Sequence, residues 1–242
     1  LSELARSNAE LEAFTYSVSH DLKEPLRTIE AFSQFLLEDY QANLDDQGRD
    51  YLQKLASASA RMKHLIEDLL ALSRIGRRDV ATSTVDVGRI VADVVEGMRA
   101  TIEERGAEVR VDPDLPGVRA DAARIEQIFG NLIANGIKFN RSEHPSIEVG
   151  VRGQGGETAA YFVRDNGIGI EPAYHERIFG IFQRLHRREE FEGTGAGLAI
   201  VKRAVESLGG TVEVESDGAA GTTFVVTLPT AEPRQADERA AA

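Results

Sequence analysis

Cysteine and tryptophan are absent from the 242 residues, and methionine occurs only twice. Without cysteine there is no disulfide framework, no thiol nucleophile and no thiolate-held metal, which fits a cytoplasmic setting. Long apolar runs are missing too: none approaches the ~18 residues of a membrane span. The first residues also lack the basic start and apolar stretch of a signal peptide. No membrane contact is expected within this chain, and any anchor belongs to a longer protein. Positive charge is the third deficit, with 28 Lys+Arg against 40 Asp+Glu and a net charge of −12. That balance opposes non-specific binding to nucleic acid or anionic lipid, so a polyanionic ligand must be held by local groups. What remains, 42% apolar and 28% charged residues, is the mixture of a soluble globular protein long enough for one or two domains.

Two kinds of periodicity divide the chain. Leu1, Leu4, Leu11 and Val18 keep a heptad, with Asn8 and Thr15 in the remaining core slots. The spacing predicts a parallel coiled-coil entry over 1–18, its register set by Asn8. The same phase continues through Leu22, Ile29, Phe32 and Leu36, crossed by Pro25, up to a polar stretch at 41–50. A second helix follows, with Tyr51, Leu55, Met62, Leu65, Leu69 and Leu72 on one face, ending near Gly76. Two helices bury little alone, so dimerisation into a four-helix bundle is the expected completion. Beyond the Arg-rich 73–79 the pattern alternates between strands and helices. Asp86 is read as the cap of a helix running to Gly106, with a strand following at 108–111. Asp121 caps a helix whose inner face carries Ile125, Ile128, Phe129, Leu132, Ile133 and Ile137. Strands are expected at 146–152 and 158–164, an irregular lid at 171–193, a helix at 195–208, strands at 211–215 and 222–228, and a disordered tail at 231–242.

Four clusters carry candidate chemistry. His20, two residues after Val18, should face solvent outside the bundle, where a near-neutral imidazole is either a nucleophile beside Asp21 or an ordinary surface histidine. Pro25 lacks an N–H, so it leaves the Asp21 carbonyl unpaired and weakens the helix one turn beyond His20. Asp165 ends a strand before Gly167 and Gly169, where its carboxylate either reads an amine of adenine or serves an Asx turn. Asn131, Asn135 and Lys138 share a helix flank, which is either solvated or suited to hydrated Mg²⁺ and phosphate. The run Gly193-Thr194-Gly195-Ala196-Gly197-Leu198 opens a helix whose free N–H groups attract phosphate.

Taken in order, these motifs resemble those of the sensor histidine kinases of two-component signalling. His20-Asp21-Leu22-Lys23-Glu24-Pro25 is similar to the family's phospho-acceptor box, and Asn131 to Phe139 to its asparagine box. The segments from Asp165 to Ile170 and from Gly193 to Ile200 resemble its glycine boxes, with Phe179 and Phe182 in the aromatic box between them. The Phe182-Gln183-Arg184-Leu185-His186 wording looks like the branch attached to phytochrome or PAS-type sensors. The resemblance implies a linker at 1–18, a dimerisation and phospho-acceptor domain at 19–78, and an α/β sandwich ATP-binding domain of the gyrase/chaperone/histidine-kinase type at 79–230.

It further implies ATP and Mg²⁺ as cofactors, autophosphorylation of His20, transfer to an aspartate of a response regulator, and an N-terminal sensor domain. Asp21 would orient the ring of His20 and take its proton, and Asn135 would hold the metal. The ATP-binding set would be Asn131, Asn135, Lys138, Phe139, Asp165, Gly167, Gly169, Ile170, Phe182, Arg184, Gly193, Thr194, Gly195, Ala196, Gly197, Leu198 and Thr223. Two positions depart from the family. Glu24 stands where a Thr or Asn would position a hydrolytic water, which puts phosphatase activity in doubt. Gly136 replaces the usual Ala at a helical cost of ~1 kcal/mol, expected to ease backbone approach to the nucleotide. The rival readings are a gyrase- or chaperone-type ATPase, whose relatives carry a glutamate base at the position of Asn131, and a regulated phosphatase or scaffold that binds ATP without catalysis.

Overall fold

The computed structural model describes residues 2–40, 44–74, 83–155, 157–186, 190–191 and 193–230. Two compact units emerge: Leu1–Gly76 with Arg188–Ala196, and Arg77–Arg187 with Gly197–Ala242.

The first unit is an antiparallel helical hairpin of α1 (Ser2–Asp39) and α2 (Asp46–Arg74). α1 continues through Pro25 as expected. α2 begins five residues before the apolar pattern does, because Asp45 caps it: its Oδ1 accepts the Gly48 N–H at 2.7 Å and its carbonyl the Arg49 N–H at 3.1 Å. Between the helices Leu26, Ile66 and Leu70 are buried together, and small buried Ser19, Ser33 and Ser59 line the same interface. Ser33 returns its hydroxyl to the Ile29 carbonyl at 2.7 Å. Lys23–Glu67 and Lys63–Glu30, both at 3.8 Å, mark the antiparallel register but add little stability on an exposed surface. Of the α2 residues predicted to share one face, only Leu72 is buried within the chain. Tyr51, Leu55, Met62 and Leu69 stay exposed, as do Val18, Leu22, Ile29, Phe32 and Leu36 of α1. Each helix thus has two apolar stripes, and the inner one, through Ile66 and Leu70, escaped the heptad count. Leu1 and the side chains of Leu4, Asn8, Leu11, Thr15 and His20 lie outside the described residues, as does the tail at 231–242.

The second unit is built on a mixed five-stranded sheet in the order β2-β4-β5-β7-β6. Its strands are β2 (Glu108–Val111), β4 (Ser146–Gly155), β5 (Thr158–Asp165), β6 (Thr211–Glu215) and β7 (Thr222–Pro229). β2 runs parallel to β4, and every other pair is antiparallel. A separate two-stranded sheet joins β1 (Ser83–Val85) to β3 (Val118–Ala120), the latter too short for pattern reading. Helices α3 (Val87–Gly97), α5 (Ala122–Lys138) and α6 (Gly197–Ser207) cover one face of the large sheet. All six predicted inward residues of α5 are buried, and Phe129 meets Tyr161 of β5 edge to face at 5.8 Å. Each such side chain contributes roughly 1.5–3 kcal/mol on burial. The other face is polar: Arg152 pairs with Glu215, Arg164 with Glu148, and the Phe162 ring lies over Gly150.

Three expectations need correction. The helix predicted from Asp86 to Gly106 is two, since after the poor helix former Gly97 the backbone leaves helical geometry at Met98 (φ −96°, ψ 4°), and α4 (Arg99–Arg105) resumes at once. Both predicted ends hold: Asp86 accepts the Arg89 N–H at 3.0 Å, and Gly106 closes α4 at φ 59°. α6 starts at Gly197 rather than Gly195, whose φ of 80° is outside the helical region. The predicted lid contains two short 3₁₀ turns, Pro172–Tyr174 and Arg177–Phe179.

Candidate functional site

The sheet unit gathers its polar candidates where β5 ends against the C-terminal half of α5. Asp165 is the last residue of β5, and its Oδ1 accepts two backbone N–H groups, Gly167 at 2.8 Å and Thr222 at 3.2 Å. Burial pushes this carboxyl up to about 6, against the lowering effect of those two bonds. No hydrogen bond occupies Oδ2 among the described residues, which leaves an acceptor for a ligand amine. Three glycines let the backbone crowd around this carboxylate. A Cβ on Gly221 would lie 2.1 Å from the Asp165 carbonyl oxygen, and one on Gly167 would lie 2.4 Å from that of Phe139. Gly169 takes φ 74° against the β6–β7 turn. Ser216 in that turn ties the loop down, accepting the Ile170 N–H at 2.9 Å and donating to the Gly221 carbonyl at 2.6 Å.

α5 supplies the other wall. A Cβ on Gly136 would sit 3.1 Å from Ile147 Cγ1 and 3.2 Å from Asp165 Cβ. The glycine therefore serves close packing of helix on sheet, in place of the expected approach to nucleotide. Immediately before it, the half-buried Asn135 amide has no hydrogen-bond partner among the described residues, so its oxygen suits a hydrated Mg²⁺ that keeps most of its waters. No group of three or more His, Asp or Glu side chains that could hold a metal occurs among the described residues. Asn131 donates to the Gln127 carbonyl at 2.8 Å, and its Oδ1 would lie 2.7 Å from a Cβ on Gly197, placing it against the start of α6. Lys138 lies 4.5 Å from the Phe139 ring centroid, and the His186 ring lies 6.2 Å away on a tilted plane.

Asn131, Asn135, Lys138, Phe139, Asp165, Gly167, Gly169, Ile170, Gly197 and Leu198 thus belong to one unit, most of them joined by the contacts above. Phe182 is exposed with φ 58°, an unusual conformation for a bulky residue, and Arg184 is half-buried in the same segment. The rest of the glycine-rich run, 193–196, groups with the helical unit, where Thr194 Oγ1 donates to the Asp68 carboxylate of α2. Burial raises that carboxyl despite the hydroxyl.

Thr223 is a correction. It pairs with Arg164, and its hydroxyl accepts from Arg164 Nε at 3.4 Å on the polar face of the sheet, whereas Thr222 pairs with Asp165 and shares its face. Sequence reading therefore missed Thr222, which strand alternation counted back from the buried Phe224 would have found. It also missed Ser216 and Asn140 and gave His186 no role. His20 and the exposed Asp21 lie on α1 in the helical unit.

Two protein families match the chain: His Kinase A (phospho-acceptor) domain over residues 10–78, and histidine kinase-, DNA gyrase B-, and HSP90-like ATPase over residues 120–232. Cyanobacterial phytochrome B of a Nostoc species is 45% identical over 227 residues, 93% of this chain and 30% of that protein. The methanogenesis regulatory histidine kinase FilI of Methanothrix harundinacea is 41% identical over 95% of this chain and 26% of its own length. The chain therefore spans under a third of the curated relatives it matches here. Among solved structures, full-length ShkA in complex with AMPPNP superposes with a TM-score of 0.69 at 27% identity, covering 90% of this chain and 46% of ShkA.

Proposed function

From the premise that this chain belongs to the sensor histidine kinases and comprises their phospho-acceptor and ATPase core, we propose that it moves the γ-phosphoryl group of ATP to His20 and then to an aspartate of a response regulator. The observation that carries this reading is the Asp165 carboxylate, anchored through Oδ1 by two backbone N–H groups while Oδ2 stays available to the adenine amine. Phe139 would flank the base, Asn131, Lys138 and the start of α6 would bind phosphate oxygens, and Asn135 would hold the metal. Mg²⁺, when bound, neutralises charge on the β- and γ-phosphates. A ring nitrogen of His20 attacks the γ-phosphorus, the bond to the β-bridging oxygen breaks, and ADP leaves with that electron pair. Asp21 orients the ring and accepts its proton. The phosphoryl group then passes from the ring nitrogen to a receiver-domain carboxylate.

The uncovered apolar stripes on α1 and α2 support a homodimer, and the short coverage of the relatives supports a sensor region elsewhere in a longer protein. No helix among the described residues is long and apolar enough to cross a membrane. A hydrolytic ATPase is disfavoured because Asn131, engaged with Gln127 and set against Gly197, offers no general base for water. Incubation with γ-labelled ATP and Mg²⁺ tests the proposal. The expected label is acid-labile and alkali-stable, and it is lost in His20→Gln with ATP affinity nearly unchanged. Label that persists in His20→Gln would overturn the acceptor assignment.

A further inference from the structure

Asn166 follows the base-reading Asp165 and is exposed, yet its side-chain amide makes three directed hydrogen bonds. Oδ1 accepts from Asn140 Nδ2 at 2.7 Å and from the Ser146 N–H at 2.8 Å, while Nδ2 donates to the His144 carbonyl at 3.0 Å. Asn140 is itself a junction. Its Nδ2 also reaches the Gly136 carbonyl at 3.5 Å, and its Oδ1 accepts the Ser142 N–H at 2.9 Å. Two backbone bonds close the circuit: Ile168 N–H to the Phe139 carbonyl at 3.0 Å, and Asn166 N–H to the Ser146 carbonyl at 3.3 Å. The loop carrying Asp165 is thereby stitched to the last turn of α5, the turn that holds Asn135, Lys138 and Phe139.

We propose that Asn166, acting through Asn140, is a positioning residue that fixes the span between the adenine-reading carboxylate at the end of β5 and the phosphate-binding turn of α5. A purine nucleoside triphosphate must satisfy both ends at once, so slack in the loop costs the hydrogen bond at the base first. This inference rests on the nucleotide site proposed above. A role confined to loop stability would weaken every nucleotide alike, whereas positioning weakens only those that use Asp165. Inosine triphosphate carries a carbonyl where ATP has the exocyclic amine, and so it provides the comparison.

The test is calorimetric titration of the whole chain with ATP and inosine triphosphate in the presence of Mg²⁺. Asn166→Ala is expected to raise the ATP dissociation constant about five- to tenfold while changing that of inosine triphosphate less than about twofold. Asn166→Asp keeps both acceptor bonds and loses the donor to His144, so it should fall between wild type and Asn166→Ala. It also serves as the test if the alanine variant does not fold. Asn140→Ala should move the ratio in the same direction. Equal weakening of both nucleotides, or unchanged ATP affinity in folded Asn166 variants, overturns the positioning role. Asp165→Asn is the control: if it leaves ATP binding intact, the base assignment itself fails and this inference falls with it. If it weakens ATP while the Asn166 variants do not, only the inference fails.

Discussion

Asp165 is asked to be a hydrogen-bond acceptor in a place that disfavours its charge. Its ordinary value of 3.8 is raised to about 6, so folding favours the neutral acid, and that contribution is present below pH 3.8 and lost as pH rises through about 6. Asp165→Asn keeps an Oδ1 acceptor for Gly167 and Thr222 and removes the buried charge. The variant should therefore melt higher than wild type at pH 8, by on the order of 1 to 3 kcal/mol, with the advantage shrinking below pH 6. The same substitution should weaken ATP binding, because an amide can present a donor where the adenine amine needs an acceptor. Loss of affinity without the pH-dependent melting difference would mean the carboxyl is less buried than it stands here. The neighbouring threonines separate cleanly: Thr222→Val should raise the ATP dissociation constant several-fold, and Thr223→Val, whose hydroxyl accepts from Arg164 on the opposite face of the sheet, should leave it within about twofold. Glu24 is exposed one turn after His20 on α1, and an ionised carboxylate cannot donate a hydrogen bond to an attacking water. Glu24→Thr is accordingly expected to speed loss of label from the phosphorylated regulator. Slower loss would assign Glu24 itself to hydrolysis. At this scale the sequence was informative about which residue types matter and poorer about partners. Asp165 and Asn135 stood out by motif, whereas Ser216 and Asn140 act through folding that brings residues 46 and 26 positions apart into contact with the Asp165 loop.

At the level of elements, helices with one clear apolar stripe were the most legible. α5 has its N-cap at Asp121 and all six inward positions as read, because a single sheet face dictates them. The hairpin was harder, since α1 and α2 each serve two surfaces and the heptad registers only one. Leu26, Ile66 and Leu70 meet within the chain, while Leu22, Ile29, Phe32, Leu55 and Leu69 do not. The two sets should behave differently. Ile66→Ala is expected to destabilise the hairpin itself by about 2 to 4 kcal/mol. Leu55→Glu should convert a dimer into a monomer, with loss of helical signal from the hairpin following dissociation, as read by sedimentation and circular dichroism. A Leu55→Glu protein that still sediments as a dimer would place the interface elsewhere. Short elements were invisible for a different reason: β3 has only three residues and owes its extended form to pairing with β1. The break at Met98 was likewise hidden, since Gly97 alone weakens a helix without dictating where it stops.

Across the whole molecule, the chain consists of two units whose stabilities come from different sources. The sheet unit encloses a continuous core, with Tyr161, Phe129, Ile125, Ile128 and Leu132 nearly inaccessible to solvent. The hairpin has only a thin seam and leaves Phe32 62% exposed and Tyr51 60% exposed. In the proposed homodimer the hairpin is completed by a second copy of itself, so its stability obeys mass action while that of the sheet unit does not. Each tenfold increase in chain concentration stabilises the associated state by about 1.4 kcal/mol of dimer relative to the separated chains. Melting should therefore resolve into two transitions: one that climbs as the protein is concentrated, and one, reporting the sheet unit and shifted upward by ATP, that stays where it is. In a cell, the same linkage ties the folded fraction of the phospho-acceptor helices to the abundance of the kinase, so that a scarcely expressed copy would keep its nucleotide site and lose its acceptor.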